Sequence, residues 1–164
     1  MQVKTNFMGT EEIVEISQEQ IYAFEPGLGG FEELRRYALI AEPDSPVEWL
    51  QSLDDADVSF ALLEPFLFRP DYLFELPDRD AEALGMHEAA DALVRCILTL
   101  SEEPAQITAN LLAPLVLCRR THLARQVILQ DPDLPLRAPI FVAGAAEVAD
   151  GVGAEDEQPM AASA

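Results

Sequence analysis

The sequence predicts a mainly β protein: a small antiparallel β-barrel or sandwich-like domain with one or two short helices. Three observations predict it. Apolar residues recur in short runs, several with period-two alternation. Turn-forming residues separate those runs. Twelve prolines lie between them, where they break helices and end strands. No segment repeats at a fixed period.

The elements follow in chain order. Gln2 to Phe7 and Glu12 to Ile16 flank Met8-Gly9-Thr10, a short glycine-containing turn, and predict a hairpin. Ile21 to Phe24 is a short strand stopped by Pro26. Phe31 to Tyr37 reads as a short helix. Val47 to Leu53 and Val58 to Leu63 surround Asp54-Asp55-Ala56-Asp57, the turn of a second hairpin. Tyr72 to Leu76 alternates with period two and reads as a strand. A helix follows: Asp78 is a suitable N-cap, Asp80 and Glu82 favour its positive end, and Gly85 fits the exit. Val94 to Leu100 places Val94, Cys96, Leu98 and Leu100 on one strand face. Ile107 to Leu112, Leu115 to Cys118 and Arg125 to Gln130 complete the strands.

At 164 residues one domain is expected, large enough to bury roughly two thirds of its unfolded surface. Two parts are distinguished: a β domain over residues 1–140, and an acidic Ala/Gly-rich tail over 141–164, expected to be disordered. The tail holds five acids and no base. The whole chain carries 30 acids and 10 bases, a net charge of −20. Such a polyanion is repelled by nucleic acid and by anionic membrane surfaces, and is steered toward basic partners. The longest apolar run, Leu111 to Cys118, is eight residues and contains Pro114, far short of a spanning helix. The N-terminal residues lack the apolar region of a secretory signal. Cys96 and Cys118 read as small buried hydrophobes in a reducing compartment, so a cytoplasmic location is expected.

Catalytic signatures are scarce. His87 and His122 are far apart without metal-ligand spacing and read as surface residues. No nucleophile elbow occurs. Gly27-Leu28-Gly29-Gly30 fails as a dinucleotide loop, because Glu32 and Glu33 stand where a pyrophosphate needs donors, and reads as a turn. Asp54, Asp55 and Asp57 lack the glycine and distal Glu of a calcium loop. No cofactor or metal is expected. An enzyme using clustered acids on a small cationic ligand would need a converging polar pocket, which no His, Ser or Cys constellation supplies. A structural filament component would need long terminal helices or heptads, also missing.

The segment Glu64 to Phe74 holds four of the chain's twelve aromatics, with Pro65 and Pro70 keeping it out of a central strand. Those rings either fill the core or form an exposed partner patch.

Several stretches carry a family likeness: Phe24-Glu25-Pro26-Gly27-Leu28-Gly29-Gly30-Phe31-Glu32, Leu50-Gln51-Ser52-Leu53-Asp54-Asp55, Pro65-Phe66, and Pro70-Asp71-Tyr72 through Leu76-Pro77-Asp78. Asn110-Leu111-Leu112-Ala113-Pro114-Leu115-Val116 and Gln126-Val127-Ile128-Leu129 extend it. In order and spacing the chain resembles the flagellar assembly factor FliW family from about Lys4 to Ile140. It departs from the family pattern at Arg69, where an aromatic is familiar, and at Cys118, where a polar residue is usual.

The resemblance implies a non-enzymatic cytoplasmic protein that binds flagellin as a chaperone. It also implies binding to, and antagonism of, the translational repressor CsrA, an RNA-binding protein. Flagellin synthesis would thereby be coupled to assembly. A narrower alternative is a flagellin chaperone without CsrA antagonism. No direct contact with nucleic acid or membrane is expected, and the free protein is expected to be a monomer. The candidate partner residues are Asp54, Asp55 and Asp57 in the acidic turn, and Phe66, Phe68, Asp71, Tyr72 and Phe74 in the aromatic segment. Asn110, Leu111 and Pro114 join them on a predicted edge or bulged strand. Exposed aromatic anchors would receive an amphipathic flagellin terminus. On that expectation Tyr72→Ala weakens binding and leaves the melting temperature unchanged.

Overall fold

The computed structural model describes residues 1–140. The expectation for the tail, 141–164, lies outside the described residues. The strands are β1 (Gln2–Phe7), β2 (Thr10–Glu15), β3 (Ile21–Phe24), β4 (Arg36–Ala41), β5 (Glu48–Ser52) and β6 (Ser59–Leu63). They continue as β7 (Ala92–Thr99), β8 (Thr108–Ala109), β9 (Leu115–Cys118), β10 (Leu123–Gln126) and β11 (Ala138–Pro139), with one helix, α1 (Asp78–Leu84).

Seven strands close into a barrel in the order β3-β4-β5-β6-β7-β9-β10, β10 returning to β3. The expected β-barrel is therefore present. It departs from an all-antiparallel design at the closure, where β10 runs parallel to β3. β7 branches: its first half pairs with β9, its second half with β8, and β8 carries β11. The barrel interior is filled by Phe24, Tyr37, Leu50, Leu62, Leu115 and Leu117, all essentially inaccessible. Gly27 lets the loop after β3 tuck in close, since a Cβ there would meet the Glu32 carbonyl oxygen at 2.7 Å. That tuck places Leu28 in the barrel core, so the glycine-rich stretch is a turn, as expected.

Two layers cover the outside. The β1–β2 hairpin turns through Met8 and Gly9 with φ of 59° and 84°, the primed geometry that matches strand twist. Val3 and Ile16 cover Ala38 and Ile40 on the outer face of β4, and Phe7 stacks on Trp49 at 4.7 Å. The outer face continues past the hairpin into a second core, in which Trp49, Leu63, Cys96, Leu98 and Val116 pack under residues 65–76, α1 and the segment after β7. Val94, Cys96, Leu98 and Leu100 share this face, as the alternation predicts.

The remaining element readings are corrected. The expected helix over Phe31–Tyr37 is a pair of turns, Phe31 N–H to Leu28 C=O and Leu34 N–H to Phe31 C=O, running into β4. Tyr37 and Leu39 face the barrel while Ala38 and Ile40 face the hairpin, so β4 lacks the alternation that marks a half-buried strand. Tyr72–Leu76 is not in a strand, the strand within Ile107–Leu112 is only β8, and β10 starts earlier and stops sooner than Arg125–Gln130. Helix α1 takes Pro77, not Asp78, as its N-cap. Gly85 closes it at φ 68°, its N–H bonded to the Glu82 carbonyl. The helix is held to the barrel by Arg125 on Asp80 at 2.8 Å and by the Thr121 hydroxyl on the Leu84 carbonyl at 2.7 Å.

Candidate functional site

The acidic turn is built from the inside. Gln51 is fully buried; its amide donates to the carbonyls of Ser52, Ala56 and Val58, and its Oε1 accepts the Asn6 N–H at 3.1 Å. The Ser52 hydroxyl oxygen accepts the N–H groups of Asp54 and Asp55, both at 3.0 Å. Asp54 then accepts the N–H groups of Arg35 at 2.8 Å and Arg36 at 3.1 Å. The Arg36 and Arg35 N–H groups hold its carboxyl below the usual Asp value. Asp54 is thus a clamp between the β3–β4 loop and this turn. Asp55 accepts the Asp57 N–H at 3.0 Å, and Asp57 accepts the Asn6 amide at 3.3 Å. All three side chains are exposed, and Asp54 alone accepts main-chain N–H groups from another loop.

The aromatic segment divides. After a single 3-10 turn at Pro65–Leu67, Phe68 enters the second core at 8% exposure. Tyr72 is 5% exposed and its hydroxyl donates to the Leu111 carbonyl at 2.7 Å. Burial pushes its phenol up. Tyr72 is therefore a core residue that joins two of the candidate segments, which corrects its expected role as an exposed anchor. Phe66 stays 40% exposed and Phe74 half-buried, with ring centroids 6.1 and 5.7 Å from Tyr72. Asp71 is exposed.

The third candidate segment is structural. Asn110 Oδ1 accepts the N–H groups of Leu112 at 3.1 Å and Ala113 at 3.0 Å, shaping a turn. Leu111 is fully buried. Pro114 is buried, in a loop and not in an edge strand, and its carbonyl accepts the Val127 N–H at 2.9 Å.

Of the exposed candidates, the aromatics share one face, whereas Asp55, Asp57 and Asp71 are not in its lining. Phe66, Tyr72, Phe74, Leu76, Met86 and Val94 line an apolar groove of about 550 Å³, with Glu75, His87 and Glu88 also in its lining. Leu73, 86% exposed, stands between it and a second groove of about 1020 Å³ lined by Phe74, Glu75, Arg79, Ile128 and Asp131. Sequence reasoning missed Leu73, Met86 and Ile128. Ile128 was within reach: it alternates with Val127 and Leu129, which are buried, and is itself 68% exposed.

The folded domain of residues 2–140 matches the family model described as FliW protein. The chain belongs to the FliW family. Its sequence is 38% identical over 128 residues to the flagellar assembly factor FliW of Caldicellulosiruptor saccharolyticus, covering 78% of this chain and 84% of that one. The Treponema denticola flagellar assembly factor FliW is 39% identical over 131 residues, covering 80% and 87%. A crystal structure of the flagellar assembly factor FliW superposes with a TM-score of 0.79 at 31% identity, covering 87% of this chain and 98% of that one. The acidic turn, the aromatic segment and both grooves lie within the FliW match.

Other chemistry-bearing residues have structural surroundings. His87 is exposed, but His122 is not the surface residue expected: its ring stacks on Tyr22 at 4.9 Å, and Nδ1 lies 2.9 Å from the Ile21 carbonyl oxygen. Both cysteines are free and buried. Burial pushes the Cys96 thiol up to about 12. Burial raises Cys118 too, but hydrogen bonds from Thr121 and Arg120 outweigh it and leave this thiol below its ordinary value. Among the described residues no three His, Cys, Asp or Glu side chains form a metal-holding group. No helix there is long and apolar enough to cross a membrane.

Proposed function

We propose that this FliW-family chain is a non-enzymatic cytoplasmic flagellar assembly factor that binds flagellin and antagonises a CsrA-type repressor. The observation that carries the reading is an apolar groove with exposed anchors on a family member of net charge −20. Flagellin termini are amphipathic, and the groove supplies apolar anchors in Phe66, Leu73 and Phe74. A basic RNA-binding repressor would be drawn to the acidic surface, and the same field would repel RNA from a neighbouring site. Asp55, Asp57 and Asp71 are the exposed members of the candidate set available for that contact.

The test is calorimetry with flagellin and CsrA from the same organism, singly and together. Binding of both, with displacement of CsrA by flagellin, is expected. Binding of flagellin alone leaves only the chaperone reading, and binding of neither overturns the proposal.

A further inference from the structure

The larger groove has an uncommon wall. β10 does not end its pairing at Gln126: the Val127 N–H reaches the Pro114 carbonyl at 2.9 Å and the Leu129 N–H reaches the Leu112 carbonyl at 2.9 Å. Main-chain groups alternate sides along an extended chain, so those of Ile128 and Gln130 turn the other way. That side is covered by β3 only as far as Ala124, whose carbonyl accepts the Glu25 N–H. Beyond it, Ile128 and Gln130 line the groove, and among the described residues their N–H groups bond no backbone carbonyl. Across the groove, Leu73–Leu76 lies outside any helix or strand and makes no main-chain bond to a neighbour among the described residues. Ile128 and Leu73, the two most exposed large hydrophobics apart from Ile13, sit on these two walls.

We propose that the edge formed by residues 126–130 is a strand-addition site for an extended cationic segment of a partner protein. An added strand would pair with Ile128 and Gln130, and its apolar side chains would cover Ile128 and Leu73. Charge selects the occupant. Glu75 and Asp131 outnumber Arg79 among the lining charges, since Asp80 is committed to Arg125. A second copy brings −20 toward −20, and the chain's own residues 141–164 carry five acids and no base. The inference does not rest on the flagellin and CsrA reading, because it concerns how the neighbouring groove binds.

The test is amide hydrogen exchange on the full chain with a synthetic peptide of alternating lysine and valine. At saturation, exchange at Ile128 and Gln130 is expected to slow at least tenfold. A peptide N-methylated at every residue, which cannot donate to the edge in either orientation, is expected to bind at least tenfold more weakly. Ile128→Pro removes the outward donor and leaves the Val127 and Leu129 bonds in place, so it should abolish the protection. Three results would overturn the proposal: no slowing at Ile128 and Gln130, equal binding of the N-methylated peptide, or full protection of both amides in the free chain.

Discussion

The barrel and the strap over its outer wall, residues 64–84, are made by opposite means. In the barrel, strands share hydrogen-bonded ladders and each side chain is placed by register. In the strap there is no ladder; a 3-10 turn, a seven-residue helix and a few side-chain bonds hold the chain against the core. The strap is therefore free to leave Phe66 and Leu73 uncovered, which a closed ladder with filled faces does not do. Stability resides in the barrel and in a handful of strap anchors, while the strap contributes Phe66, Leu67 and Leu73 to the exposed apolar surface.

The sharpest way to break this contrast is Tyr72→Ala. It removes the ring that ties strap to barrel and should cost about 3–5 kcal/mol, as large-to-small aromatic truncations do. Denaturant unfolding measures it; an unchanged midpoint would make the strap independent of its anchor. Arg95 tests the barrel. It shares the inward face of β7 with Leu93 and Ile97 and pairs with Glu48, the two side chains only 12% and 19% exposed. Arg95→Met should cost about 3 kcal/mol by stranding Glu48, and Glu48→Leu added to it should recover most of that. A double variant no more stable than the single one contradicts the pairing.

Asp54→Ala should cost about 1 kcal/mol, because an exposed carboxylate gives less than a buried one. Its folded-state pKa is lowered, so its contribution is complete above about pH 4 and vanishes as pH falls through the folded value. The stability gap between the wild type and this variant should therefore close in acid, measured as melting temperature against pH. The smallest effect belongs to Leu73→Ser, within about 0.5 kcal/mol of wild type. If the strap is the partner face, that variant should weaken flagellin binding in calorimetry without moving the melt.

The barrel was largely legible from sequence because turn residues separate short apolar runs, and because the polar Arg95 and Thr99 on one face of β7 let its other face show as alternation. Val94, Cys96, Leu98 and Leu100 announced their face. β4 did not, since both of its faces are covered and its pattern reads as continuous. The strap misled for the converse reason. Tyr72, Phe74 and Leu76 alternate like a strand, yet the alternation records inward anchoring of a chain that pairs with nothing. Of the groove-lining residues, Phe66 and Phe74 were among the candidates and the flanking Leu73 was passed over, because an exposed leucine carries no local mark distinguishing it from a buried one. Asp54 was read for its charge, whereas the hydrogen bonds from Arg35 and Arg36 that make it structural join residues far apart in the chain.

The parallel seam between β3 and β10 brings together residues about 100 positions apart, as the Arg125 guanidinium on the Glu25 carbonyl shows. A nascent chain leaving the ribosome therefore carries a barrel open along one side until Leu123 and Ala124 have emerged. Until then the interior edge of β3 has no partner, and the wall that β9 and β10 complete does not exist. Closure waits for residues about 100 positions downstream of β3 and depends on distant contacts, a topology that folds slowly. Molecules interrupted before that point would lack both the barrel and the grooves built on its outer wall.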